Sequence, residues 1–169
     1  MATLKVLNRA GHYHDPNARA DVLNYIFQPD KTESGLLGCI HVHPLFIIES
    51  MDQVSDSYKK ATGIQIRHFI LAFSPDEVND PNIADEIAQH IMNYIGQRYQ
   101  AVYAVHEDTS NLHIHFAFNA ISYLDGQRYY GKKADYYSLV AFIKKVLHSY
   151  GIHRLYEISC RSDVDAQWE

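Results

Sequence analysis

The sequence predicts an α+β domain: a mostly antiparallel sheet of five or six strands, with helices mainly on one face. Short runs of alternating apolar and polar residues recur along the chain, as in strands that bury one face. Turn-forming residues separate some of these runs closely enough for hairpins. Longer segments between them repeat apolar residues every three or four positions, the pattern of amphipathic helices packed on a sheet.

The N-terminal half of the chain supplies three strands and two helices. The strands are predicted at residues 4–8, 36–43 and 67–73, and the helices at 16–27 and 50–61. Residues 11–17 form a polar loop, Pro16 lies just inside the first helix, and Pro29 prevents that helix from continuing. The first helix buries Val22, Leu23, Ile26 and Phe27. At 100° per residue, Tyr25 lies roughly 130° from the centre of that face, off the buried stripe.

The C-terminal half begins with a helix at residues 81–98, in which isoleucines recur every four positions. Paired strands at 99–106 and 112–121 follow, and the Asp125-Gly126 turn extends the sheet toward Tyr129. A last helix covers 134–150, and 154–158 forms an edge strand. We expect one domain over residues 1–158, with 159–169 a polar tail or the start of a linker.

Composition excludes some classes of protein. The apolar fraction of 47% and the charged fraction of 21% are those of a globular domain with a substantial core. No apolar run is long enough for a membrane segment, and the two cysteines form no CxxC pair, so a cytoplasmic protein is expected. The net charge of −5 does not indicate nucleic-acid binding, although a groove needs only a local basic face.

Three histidines form the candidate metal site. In residues 112–118, His113 and His115 alternate with apolar residues and therefore share the polar face of a strand. A hairpin through residues 107–111 brings His106 across from His113, or one step from it. A lone histidine on a strand is usually structural. Three neutral imidazoles on one patch instead predict a metal site with coordination positions left open for chemistry.

Other candidates have two interpretations from pattern alone. Asp108 either orients an imidazole or caps its loop, and His68 is either structural or supports the ligands. His41 and His43 form a second His-x-His that lacks a third partner. Tyr25 by itself is an ordinary tyrosine of an amphipathic helix. Basic residues such as Arg128, Lys132 and Lys133, interleaved with tyrosines, form either a solvated face or a surface that holds a nucleic-acid backbone and stacks bases.

Residues 106–119, HEDTSNLHIHFAFN, resemble the third motif of MobA/VirD2-like plasmid mobilisation relaxases, which belong to the HUH endonuclease superfamily. The pattern of that motif is met by His106, Asn111, His113, His115 and Asn119. Residues 21–31 are similar to the first motif, whose helix carries a nucleophilic tyrosine, here Tyr25. Residues 67–75 look like the strand between the two motifs, so the resemblance spans roughly residues 1–155.

The resemblance implies a relaxase-like fold and site- and strand-specific nicking and joining of DNA at an origin of transfer. Tyr25 would attack the scissile phosphate and leave a 5′-phosphotyrosyl link and a free 3′-OH. A divalent ion on the three histidines, Mn²⁺ or Mg²⁺ in function with Zn²⁺ or Ni²⁺ possible, would polarise the phosphate. The implied supporting residues are His68, Asp108 and Asn119, and the implied DNA contacts are Lys31, Arg128, Lys132 and Lys133.

The implied partners are single-stranded DNA and accessory relaxosome proteins, in the bacterial cytoplasm. Three alternatives stay open. A rolling-circle replication initiator shares the chemistry but would more often use a tyrosine after the histidine motif, such as Tyr136 or Tyr137. A metal-dependent hydrolase would use metal-bound water with no covalent step. A non-catalytic metal-binding domain would need the histidines for stability alone.

Overall fold

The computed structural model describes residues 1–7, 13 and 16–160, and in that part of the chain four helices surround a six-stranded sheet. The elements in chain order are β1 (Ala2–Leu7), α1 (Ala18–Ile26), β2 (Leu37–Ile40), α2 (Ile47–Ser57), β3 (Ile66–Ala72), α3 (Pro81–Ile95), β4 (Ala101–His106), β5 (His113–Asn119), α4 (Lys133–Ser149) and β6 (Leu155–Cys160). The predicted α+β class is confirmed. Most of the predicted loop at 11–17, residue 8 of the first predicted strand, and residues 161–169 of the predicted tail lie outside the described residues.

The sheet is mixed, with strand order β2-β4-β5-β3-β1-β6. Four of its five strand pairs are antiparallel, and only β1 and β6 run parallel. The predicted edge strand is therefore present as β6, two residues longer than expected at its C-terminal end. In the described part of the chain, no helix combines the length and apolar character that crossing a membrane requires.

Helices cover both faces of the sheet, so the prediction that they lie mainly on one face is wrong. Helices α3 and α4 pack on one face against Phe69, Leu71, Ile114 and Phe116. Helices α1 and α2 pack on the other face against Ile66, Ile70, Val102 and Ala117. The central strands carry apolar residues on both faces, as strands buried between two layers do. The second layer matters for function because it places α1 over the face that carries the histidines.

Several local predictions differ from the structure, three of them as follows. Strand β2 ends at Ile40, since His41 adopts a left-handed conformation with φ of 59° and breaks the extended run. Helix α2 begins three residues earlier than expected, at Ile47. The Asp125-Gly126 segment turns as predicted, with Gly126 at φ of 70°, but only an isolated bridge between Ile121 and Arg128 follows, not a further strand.

Candidate metal centre and its tyrosine

The hairpin of β4 and β5 brings the three histidines together. His106 pairs directly with His113 across the two strands, and His115 lies opposite Ala104 one step along the same face. One ring nitrogen of each histidine lies within 4.8 Å of those of the other two, so the cluster could hold a metal ion. His106 and His115 are buried, whereas His113 is partly exposed. The predicted convergence is confirmed, and the cluster opens toward solvent at His113.

Each imidazole of the cluster has one nitrogen engaged elsewhere. His106 Nε2 lies 2.7 Å from the carbonyl oxygen of Ile26, and His113 Nδ1 lies 3.0 Å from the carbonyl oxygen of Asn111. His115 Nδ1 lies 2.8 Å from Nε2 of His68. Metal-binding histidines typically donate their second N–H in this way, which fixes the tautomer and directs the other nitrogen at the ion.

The nitrogen left over on His106 supports a metal-binding role. Its Nδ1 is buried and has no hydrogen-bond partner among the described residues. Buried polar atoms in native proteins are nearly always satisfied, so an orphaned lone pair facing two further imidazoles fits an ion as its partner. Neutral imidazole nitrogen is a good ligand for Mn²⁺, Zn²⁺ and Ni²⁺.

Burial keeps two rings of the cluster, His106 and His115, in the neutral form that a ligand requires. Burial lowers the pKa of His106, although its hydrogen bond to the Ile26 carbonyl works in the opposite direction. Burial, followed by repulsion from the neighbouring histidines, lowers the pKa of His115 well below its ordinary value. Both rings are therefore uncharged at neutral pH and need not release a proton before they bind an ion.

Tyr25 lies beside the cluster at the end of α1. Its ring centroid is 5.5 Å from that of His115 and 6.3 Å from that of His106, and the tyrosine is only partly buried. The apolar stripe of α1 packs on the sheet, and this docking brings the tyrosine to the histidine face. Among the predicted site residues, Tyr25 and His68 therefore join the three histidines in one cluster.

Lys31 joins the tyrosine to the hairpin loop. Its ammonium lies 4.7 Å from the centre of the Tyr25 ring and 3.4 Å from Oδ2 of Asp108. Its backbone carbonyl accepts a hydrogen bond of 2.8 Å from the amide of Glu107. Burial lowers the pKa of Lys31, but Tyr25 and Asp108 more than offset this and raise it above its ordinary value. The lysine is therefore a fixed positive charge at the tyrosine.

Asp108 is near the cluster, but it does not hold the orienting position. Its Oδ1 lies 3.6 Å from Nε2 of His113, the ring nitrogen that the Asn111 carbonyl does not engage. The backbone carbonyl of Asn111, not Asp108, accepts from Nδ1 of that ring. The carboxylate instead fixes Lys31 at the rim of the site.

Asn119 lies at the opposite end of β5 and supports the site at a distance. Its side-chain oxygen accepts from the buried guanidinium of Arg19 on α1 at 2.8 Å, and its nitrogen donates to Gln100 and to the Met51 carbonyl. Arg19 also binds Asp52 of α2 at 2.6 Å and contacts the Ser55 hydroxyl. This network ties both helices of the histidine face to the sheet.

The remaining predicted DNA contacts lie away from the cluster. Arg128 donates to the backbone carbonyls of Lys60 and Thr62, and it lies beyond the C-terminal end of β5, whereas His113 begins that strand. At about 3.3 Å per residue, the length of β5 separates the two by about 20 Å. Lys132 and Lys133 are exposed at the start of α4. The structure therefore separates these three side chains from the histidines.

Sequence reasoning missed Arg19, although a signal for it exists. Arg19 precedes Val22, Leu23 and Ile26 by three, four and seven residues, and therefore lies on the buried stripe of α1. A charged residue on such a stripe is rarely buried without partners. The pattern indicates a buried polar network but cannot identify its partners in other elements.

The fold and the cluster thus define an α+β domain with a candidate open metal centre next to a tyrosine. Residues 25–152 match the family model described as Relaxase: MobA/VirD2-like, nuclease domain. Because this match covers well over half of the chain, the chain belongs to that family.

Two curated relatives are similar to parts of the chain. Protein MobA of Acidithiobacillus ferrooxidans is 35% identical over 57 residues, which are 33% of this chain and 14% of that protein. The group II intron-interrupted relaxase LtrB of Lactococcus lactis subsp. cremoris is 32% identical over 75 residues, 44% of this chain and 13% of that relaxase. The matched segments are therefore a small part of each relative's length.

Proposed function

We propose that this domain nicks and rejoins one DNA strand at an origin of transfer through a covalent link to Tyr25. Membership of the relaxase nuclease family supports nicking as the activity. The observation that carries the residue assignment is the position of Tyr25, with its ring 5.5 Å from that of His115 and next to a fixed lysine.

In the proposed reaction, the Tyr25 oxygen attacks the phosphorus of the scissile phosphodiester and its phenolic proton passes to solvent. The new bond joins phosphorus to the tyrosine oxygen, and the bond from phosphorus to the 3′ oxygen breaks, releasing a 3′-OH as that oxygen takes up a proton. His106, His113 and His115 would hold a divalent ion, which would supply Lewis-acid polarisation of the phosphate oxygens. Lys31, beside the ring, balances negative charge that develops on the phenolic oxygen.

The same residues permit rejoining. The phosphotyrosyl ester retains the energy of the broken phosphodiester, so attack by a 3′-OH on that ester restores the DNA strand and frees Tyr25. Three imidazoles favour Mn²⁺, Zn²⁺ or Ni²⁺ over Mg²⁺, which prefers oxygen ligands. Of the Mn²⁺ and Mg²⁺ that the resemblance implies, we therefore propose Mn²⁺ as the ion in function, with the reaction in the bacterial cytoplasm and accessory relaxosome proteins at the origin.

The replication-initiator alternative needs a tyrosine on α4. Tyr136 and Tyr137 lie on that helix, which packs on the sheet face opposite the histidines. The Tyr136 hydroxyl donates to Glu157 at 3.0 Å, and burial followed by this contact raises its pKa to about 12. The position on the opposite face and the raised pKa of Tyr136 both count against a nucleophile on α4 for a phosphate bound at the histidine cluster. They therefore favour Tyr25.

A covalent-adduct assay tests the proposal. The substrate is a pool of single-stranded oligonucleotides tiled across the DNA that flanks the gene, labelled at either the 5′ or the 3′ end. A 5′-phosphotyrosyl link leaves the 3′ label on the protein and releases a 5′-labelled fragment with an extendable 3′-OH. We expect this pattern with Mn²⁺ and its loss with chelator.

Tyr25→Phe is expected to abolish the adduct, whereas Tyr137→Phe, a matched change at an exposed tyrosine on the other face, is expected to retain it. An adduct that persists in Tyr25→Phe would reject this assignment. Cleavage without any adduct would favour a metal-dependent hydrolase. A protein that binds metal through His113 and His115 but neither cleaves nor links DNA would favour the non-catalytic alternative.

A further inference from the structure

Lys5 of β1 is a buried lysine on the face of the sheet that carries the histidine cluster. Along β1, Leu4 packs with α3 and α4, whereas Leu7 packs with α1 and α2. Side chains alternate along a strand, so Lys5 shares the face of Leu7. The side chain of Lys5 therefore extends into the layer between the sheet and α1.

In the part of the chain that the structure describes, the ammonium of Lys5 has no hydrogen-bond partner. Lys5 is 7% exposed, and its Nζ is buried with no hydrogen-bond partner among the described residues. Burying an unpaired charge is costly, and lysines are almost never fully buried unless paired. A buried ammonium without a carboxylate partner among the described residues is suited to bind an anionic group of a ligand.

The register of the sheet places Lys5 next to the cluster. Lys5 pairs with Ile70 of β3, and Ile70 pairs with His115 of β5. Strands lie about 4.8 Å apart, so the Cα atoms of Lys5 and His115 are about 10 Å apart, within reach of a lysine side chain and a bound phosphate group.

The row of the sheet next to that of Lys5 and His115 carries small side chains. Thr3 pairs with Ala72, and Ala72 pairs with His113, so two small residues flank the exposed side of the cluster. Both are partly exposed. A polyanion at the cluster can follow this row toward Lys5 without meeting a bulky side chain from it.

We infer that Lys5 binds a phosphate of the bound single strand adjacent to the scissile one. This inference rests on the proposed function, because it takes the polyanion at the cluster to be DNA. A phosphodiester provides the charge-assisted hydrogen bonds that the ammonium lacks in the free protein. Lys5 thereby positions the strand relative to Tyr25 and makes no contact with the reacting atoms.

The test compares Lys5→Met with Lys145→Met, which removes the same charge from an exposed site on α4. Affinity for fluorescent oligothymidylate is measured at several salt concentrations, in chelator and in a Tyr25→Phe background, so that no cleavage intervenes. For Lys5→Met we expect at least about tenfold weaker binding. We also expect the slope of log affinity against log salt to shrink by about 0.7, the value for one contact to a single strand. Lys145→Met should change neither the affinity nor this slope.

Thermal melting separates this role from a structural one. Loss of an unpaired buried charge is expected to leave the melting temperature of Lys5→Met unchanged or raised, and Lys5→Arg is expected to keep DNA affinity. Inorganic phosphate, exchanged for chloride at constant ionic strength, should raise the melting temperature of wild type more than that of Lys5→Met. Unchanged DNA affinity in Lys5→Met, or a lower melting temperature together with an equal response to phosphate, would overturn the inference. Failure to form a covalent adduct would reject the proposed function while leaving these binding measurements interpretable.

Discussion

His106 holds the end of α1 through the carbonyl of Ile26, whose oxygen lies 2.7 Å from the Nε2 atom of the histidine. Ile26 is the residue after Tyr25, so one imidazole links the candidate metal centre to the candidate nucleophile. The hydrogen bond engages Nε2 and leaves Nδ1 of His106 buried without a partner among the described residues. Ligand geometry and the position of the tyrosine are therefore coupled through a single side chain.

Metal binding should depend on His113. Wild type in about a hundredfold excess of Mn²⁺ over its Kd should gain about 2.7 kcal/mol of stability, and His113→Ala should lose this gain. His113 is the exposed member of the cluster, so its replacement is the least disruptive to the core. Urea unfolding with Mn²⁺ and with chelator measures the effect. The control is His148→Ala, at an exposed histidine on α4, which should respond to Mn²⁺ as wild type does. An undiminished Mn²⁺ response in His113→Ala would exclude the predicted ligand set.

His68 should tune the metal without binding it. Its Nε2 atom accepts from Nδ1 of His115 at 2.8 Å if that histidine presents Nε2 to the ion. Loss of such an orienting partner typically weakens metal affinity about 10–100-fold. Titration calorimetry of His68→Ala with Mn²⁺ should show this weakening with unchanged stoichiometry. A complete loss of binding would instead make His68 a ligand.

Stability of the metal-free protein should fall as the pH drops below the ordinary histidine range. The pKa values of His106 and His115 are lowered in the folded state from an ordinary value of 6.5. Below 6.5 the unfolded chain therefore binds protons that the folded chain does not, so the stabilisation is complete above that pH and decreases as pH falls toward the folded pKa values.

Urea unfolding in chelator at about pH 7.5 and about pH 5.5 measures this dependence across the histidine range. The double variant His106→Gln and His115→Gln should show a flatter dependence, whatever its absolute stability. Equal or greater stability of wild type at the lower pH would contradict the neutral, buried assignment of these two rings.

The network around Arg19 should hold α1 and α2 on the sheet. Asn119→Ala removes one hydrogen-bond partner from the Arg19 guanidinium and one from the Gln100 side chain, both of which are buried. Leaving such groups unsatisfied should cost about 3 kcal/mol of the free energy of unfolding. Asn93→Ala, at an exposed position on α3, should cost far less. Similar unfolding midpoints for the two variants would show that the network is dispensable.

The histidine cluster was predictable because its three residues are close in sequence. Alternation along β5 places His113 and His115 on one face, and the short loop brings His106 opposite them. Each step needs only the local period of a strand and the length of a loop. His68 was harder to assign because its contact with His115 depends on the pairing of β3 with β5, which no local pattern specifies.

The placement of Tyr25 needed tertiary structure. Periodicity predicted that it lies off the buried stripe of α1, and the structure leaves it partly exposed. Which sheet face α1 would cover did not follow from the helix alone, because both faces of β3 and β5 are apolar enough to receive one. The basic residues after β5 lie at the other end of the sheet from the histidines, because they follow the C-terminal end of that strand.

The most direct measurement of the central claim is to identify the residue that carries DNA in the covalent adduct. Tryptic cleavage after Arg19 and Lys31 releases residues 20–31, in which Tyr25 is the only tyrosine, and cleavage after Lys133 and Lys144 releases 134–144, which contains Tyr136 and Tyr137. Tandem mass spectrometry of the nuclease-trimmed adduct should find the nucleotide mass on the peptide 20–31. A nucleotide on the peptide 134–144 would contradict the account.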